Sequence, residues 1–119
     1  MARKHFLSLK DWSPEAIERL FELAAGMKAD PATWSAALQG RTLAMIFQKP
    51  SLRTRVTFET GITQLGGSAI YLAPDDIRPG ERESVADIAQ NLACWVDVIV
   101  ARTYDHDLLL ELARSARIF

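Results

Sequence analysis

Three short apolar runs constrain this chain more than any other feature: Thr42 to Phe47 (TLAMIF), Ser68 to Ala73 (SAIYLA) and Asp97 to Ala101 (DVIVA). Each is bracketed by segments whose apolar residues recur every three or four positions, the spacing of one helix face. Before the first run, Ser13-Pro14-Glu15 reads as a helix start, with a capping hydroxyl, a proline in the first turn and an acid at the positive end of the dipole. Ile17, Leu20, Phe21, Ala24 and Met27 carry that helix to Asp30-Pro31, and a short polar segment with Trp34 and Leu38 leads on to Gly40. Between the first two runs, a helix from about Leu52 places Phe58, Ile62 and Leu65 on one face and stops at Gly66-Gly67. Residues 74–83 (PDDIRPGERE) read as a charged loop, in which Asp75 and Asp76 serve as turn residues. Ser84 with Asp87 then resembles a capping box ahead of a stripe of Val85, Ile88, Ala89, Leu92 and Val96. After the third run, Arg102 to His106 reads as a loop, Leu108 to Ala116 as a helix, and Ile118-Phe119 as the opening of another strand.

Such alternation is that of a parallel sheet with helices on its faces. The expected fold is therefore α/β, a three-layer αβα arrangement with a parallel sheet of three to four strands. A length of 119 residues suffices for one domain with a real core. Because a domain seldom stops as a strand begins, the chain is expected to belong to a longer protein.

Charge and composition exclude several function classes. Charged residues make up 24% and the net charge is -1, which argues against a surface that grips a nucleic-acid backbone. No run approaches the roughly 18 consecutive apolar residues of a membrane span, and MARKHFLSLKDW is a poor signal peptide. The single Cys94 forms no internal disulfide and fits a reducing compartment, so a cytoplasmic protein is expected. His5 and His106 lack metal-ligand spacing, and no metal is expected. Cys94, beside Trp95, reads as a core thiol, and the three tryptophans as core or interface residues.

Ligands of an open parallel sheet collect at the carboxyl ends of its strands. Two features fall there: Pro50-Ser51-Leu52-Arg53-Thr54-Arg55 after the first run, and Arg102 after the third. A helix starting near Leu52 leaves its first N–H groups unpaired, with partial positive charge. Ser51 and Thr54 add hydroxyl donors, and Arg53 adds a planar fork suited to phosphate oxygens. Two readings fit these residues. Either they form an anion cradle, or Ser51 merely caps the helix while both arginines are solvated or paired with Glu59. Arg55, one turn on, is expected to brace the loop through Glu59.

The run Phe47-Gln48-Lys49-Pro50-Ser51-Leu52-Arg53-Thr54-Arg55-Val56-Thr57-Phe58-Glu59 resembles the carbamoyl-phosphate signature of the transcarbamylases, F-x-x-P-S-T-R-T-R-x-S-F-E. Gln64-Leu65-Gly66-Gly67 follows at that family's spacing, and Glu83-Ser84 with Asp87 is similar to its G/R-E-S/P-x-x-D segment. The stretch from Val96-Asp97 to Arg102-Thr103-Tyr104-Asp105-His106 resembles V-D-x-I-x-x-R-T-F-x-H of the ornithine carbamoyltransferases, and Phe6-Leu7-Ser8-Leu9 with Asp11 resembles their opening. The resemblance runs along essentially the whole chain. It implies an amino-terminal domain, residues 1–119, that binds carbamoyl phosphate through Ser51, Leu52, Arg53 and Thr54, with Leu52 contributing its backbone N–H. Arg102 is implied as the catalytic residue, donating to the carbamoyl oxygen while the side-chain amine of L-ornithine attacks to give L-citrulline and phosphate. The family works without metal or cofactor and as a homotrimer.

Two positions depart from the pattern. Leu52 replaces the usual threonine. Arg78 stands where ornithine enzymes often carry a glutamine that reaches a neighbouring subunit's site. The H-P-x-Q motif and the second, amino-acid-binding domain are expected beyond Phe119, so this piece alone is expected to be inactive. Aspartate carbamoyltransferase shares the phosphate motif and is the nearest alternative; a non-catalytic phosphate-binding or trimerisation module is another.

Overall fold

The structure, a computed structural model, describes residues 5–78, 81 and 83–116. The expected alternation is present: α1 (Pro14–Ala29), a one-turn α2 (Pro31–Trp34), β1 (Thr42–Phe47), α3 (Leu52–Gln64), β2 (Ser68–Leu72), α4 (Val85–Trp95), β3 (Val98–Arg102) and α5 (His106–Ser115). All pairing is parallel in the order β2-β1-β3, so the most apolar run lies in the middle. Residues 43–47 of β1 are all buried, as a strand covered on both faces requires. Ala44 and Ile46 point into a core with Val85, Ile88 and Ala89 of α4 and Leu112 of α5. Leu43, Met45 and Phe47 point to the opposite face, where Ile62 of α3 packs on them. This is the three-layer αβα arrangement, with β1 as the spine of both cores.

Sequence and structure differ where lateral position matters. The third strand begins at Val98 and takes in Arg102, one residue later than DVIVA suggests. Asp97 instead uses its carboxylate to accept from the Thr42 N–H at 2.9 Å and from Arg41 at 3.2 Å, which clamps the start of β1. The whole of β3 is only half-buried, because it lies at one side of the sheet and not inside it. The last helix starts at His106, capped by Asp105, so the loop after Arg102 is shorter than expected. The polar segment after Asp30 holds the short α2. Cys94 is exposed, with its Sγ directed at the Gln90 carbonyl, and Trp95 is exposed too. Both sit in the last turn of α4, and Trp95 lines a cavity together with Ile88 and Leu92. The strand expected at Ile118-Phe119 lies outside the described residues.

Gly66 and Gly67 end α3 for reasons of space as well as conformation. Gly66 has φ of +92°, the left-handed region glycine favours. A β-carbon on Gly67 would lie 2.7 Å from both the Arg41 carbonyl oxygen and Ile62 Cγ1. The chain therefore turns directly against the start of β1, and Ser68 donates to the Arg41 carbonyl at 2.9 Å to open β2.

Candidate anion site at the strand ends

Because β1 and β3 are adjacent and parallel, their carboxyl ends open together: Phe47 is in register with Arg102. The chain leaves β1 through Gln48-Lys49-Pro50 and enters α3 with Ser51 as N-cap, in extended backbone conformation. Ser51 Oγ accepts from the Thr54 N–H at 3.4 Å. Helix geometry leaves the N–H groups of Leu52 and Arg53, in the first turn, without intrahelical acceptors, and they carry the positive end of a 13-residue dipole.

Arg102, the last residue of β3, reaches across to this turn. Its Nη1 donates to Ser51 Oγ at 2.9 Å and to Thr54 Oγ1 at 3.0 Å, in a half-buried setting. Residues separated by 51 and 48 positions in the sequence thus meet at one point. The chemistry of these bonds matters. Both hydroxyls act as acceptors toward the guanidinium, and Ser51 accepts from a backbone N–H as well. Their own hydrogens are therefore left to donate elsewhere.

Arg53, on the same first turn, is exposed and makes no hydrogen bond or ion pair among the described residues. Arg55 behaves differently. Its Nε lies 3.6 Å from Glu59 Oε2, as the sequence suggests, and its guanidinium carbon sits 3.8 Å from the centroid of the Tyr71 ring. Tyr71 in turn meets Phe47 edge to face. This stack on β2 is not readable from spacing, since it depends on which strand flanks β1. So one arginine braces the helix and the other faces solvent, as the second of the two readings drawn from sequence has it for this pair. Leu52 is exposed and offers only its backbone to the site.

Gln48 supplies a contact that sequence reasoning missed. Its N–H donates to the Arg102 carbonyl at 2.9 Å, and its side-chain Oε1 accepts from the Tyr104 N–H at 2.9 Å. The only sequence signal was its place directly after a strand. Arg78 lies apart, paired with Asp75 at 3.6 Å on its own loop and lining a cavity with Glu83, Asn91 and Trp95. Among the described residues no cluster of His, Cys, Asp or Glu is disposed to hold a metal ion. No helix among them is long and apolar enough to cross a membrane.

Two unpaired amides, two hydroxyl hydrogens and the Arg102 guanidinium at one helix opening, with the exposed Arg53 on the same turn, form a donor set with no negative charge in it. Such a set suits a multiply charged oxyanion.

Comparison with known proteins gives this donor set a context. The chain is 50% identical over 110 residues to an ornithine carbamoyltransferase of Shewanella oneidensis, an alignment covering 92% of this chain and 36% of that protein. Its fold superposes on the anabolic ornithine carbamoyltransferase of Campylobacter jejuni with a TM-score of 0.92 at 42% identity, covering 98% of this chain and 38% of the other. An acetylornithine transcarbamylase complexed with acetylcitrulline matches with a TM-score of 0.85 at 30% identity, over 98% and 41% of the two chains. The chain thus spans little more than a third of the length of these relatives. Residues 4–119 match the family model of the aspartate/ornithine carbamoyltransferase carbamoyl-P binding domain, and the chain belongs to that family.

Proposed function

We propose that this chain is the carbamoyl-phosphate-binding domain of an ornithine carbamoyltransferase, which transfers the carbamoyl group to the side-chain amine of L-ornithine and releases L-citrulline and phosphate. The observation that carries this reading is the pair of hydrogen bonds from Arg102 to Ser51 and Thr54 at the opening of α3. In this reading Ser51, Thr54, Arg53 and the Leu52 N–H hold the phosphate. The Arg102 guanidinium, anchored through Nη1, turns its remaining N–H groups to the carbamoyl oxygen. The neutral amine attacks the carbonyl carbon, negative charge gathers on that oxygen in a tetrahedral intermediate, and the phosphate departs with the electrons of the broken C–O bond and takes up the proton the amine loses. Preorganised donors stabilise both developing charges, and no covalent nucleophile of the protein is required.

The ornithine-binding residues, a second domain and a homotrimeric cytoplasmic enzyme complete this proposal. Its support is the family membership and the predominance of ornithine enzymes among the relatives compared. Arg78 is the residue proposed to reach a neighbouring subunit's site. Its pairing with Asp75 joins side chains that are 47% and 96% exposed, a contact weak enough to exchange for another partner.

Calorimetric titration with carbamoyl phosphate and with inorganic phosphate tests the site. A charge-assisted hydrogen bond contributes about 1.5–3 kcal/mol, so Arg53→Ala is expected to weaken binding roughly ten- to a hundredfold. Equal affinities in the two proteins would refute the assignment.

A further inference from the structure

We propose that Gln48 is a positioning residue for Arg102, acting on the anion site without touching the anion. This rests on reading the opening of α3 as a phosphate cradle. Arg102 can serve such a cradle only if its backbone is fixed as well as its tip. The tip is held by Ser51 and Thr54. The root is held by one residue twice: the Gln48 N–H takes the Arg102 carbonyl, and Gln48 Oε1 takes the Tyr104 N–H, each at 2.9 Å.

The β1–β3 ladder, with Arg102 opposite Phe47, fixes the strand as far as Arg102, but little else restrains the turn that follows it. The Tyr104 side chain is 74% exposed and does not anchor the turn. Thr103 Oγ1 donates forward to the Asp105 carbonyl, which fixes the start of α5 and not the end of β3. Gln48 also precedes Ser51 by only three residues. It therefore ties the two loops that supply the cradle, and a shift of either loop is felt by the other. An uncharged acceptor suits this place, because it restrains the Tyr104 amide without adding negative charge beside the site.

The test is Gln48→Met, which keeps length and the main-chain bond but removes the acceptor. Inorganic phosphate is titrated while the Arg102 and Arg53 side-chain Nε–H signals are followed by 15N NMR. Loss of one neutral hydrogen bond predicts binding weaker by about three- to tenfold. At saturation, the phosphate-induced displacement of the Arg102 signal is expected to shrink while that of Arg53 stays at the wild-type value. Unchanged affinity, or an Arg102 displacement of wild-type size at saturation, would overturn the proposal. So would unprotected hydrogen exchange at the Tyr104 amide of the wild-type protein, a measurement that needs no variant to fold. A wild-type protein that binds no phosphate would remove the cradle itself, an outcome distinct from a cradle that binds but ignores Gln48.

Discussion

Among the serines that cap helices here with the same bond are Ser51, whose Oγ accepts from the Thr54 N–H, and Ser84, whose Oγ accepts from the Asp87 N–H, at 3.4 and 3.1 Å. Only Ser51 also receives a guanidinium. Replacing either by alanine should cost a cap, about 0.5–2 kcal/mol of stability, readable by urea denaturation. The two changes are expected to part company in phosphate titrations, where Ser51→Ala weakens binding and Ser84→Ala leaves it alone. Equal effects on binding would return Ser51 to the role of an ordinary cap. The sequence supports both roles for this residue, since a hydroxyl before a helix looks the same whether or not an arginine arrives from another strand. What could be read in advance was the residue type at a strand-to-helix junction. What could not was the arrival of Arg102, because it follows from the β1–β3 register. Cys94 is exposed and not a core thiol for a related reason: it lies beside the end of an apolar stripe but not on it, and residue type alone does not give its side of the helix.

At the scale of elements, the turn from α3 into β2 tolerates almost nothing. Gly67→Ala drives a methyl group to 2.7 Å from a backbone carbonyl that cannot retreat without disturbing the start of β1. A loss of about 1–3 kcal/mol is expected, with a lower denaturation midpoint. Gly26, inside α1 and with nothing within 4 Å of a built β-carbon, behaves in the opposite way. Gly26→Ala is expected to stabilise by about 0.5–1 kcal/mol through helix propensity and a less flexible unfolded chain. The opposite signs come from surroundings alone. Existence and type of the main helices and strands were readable from periodicity, with boundaries displaced by a residue or two where a cap or a register decided them. Burial was less readable. DVIVA has the composition of a central strand, yet β3 lies at one side of the sheet, because strand order is a property of the whole topology.

At the scale of the molecule, one side chain joins sheet and helix: Arg102 ends β3 and donates to the first turn of α3. An anion that binds the folded arrangement and not the unfolded chain must raise stability by mass action, by about 2.7 kcal/mol when present at a hundred times its Kd. Thermal unfolding with increasing phosphate is therefore expected to shift upward in the wild-type protein and much less in Arg102→Ala. An equal shift in both would mean that the anion binds elsewhere. The linkage is reciprocal. Whatever occupies the strand ends also fastens the outermost ladder of the sheet to the layer of helices behind it, so cargo and scaffold stiffen each other. Emptied, the same strand is left with its final residue held by its pairing with Phe47, two hydroxyls and a glutamine, and that end of the sheet becomes the first place from which the fold should come undone.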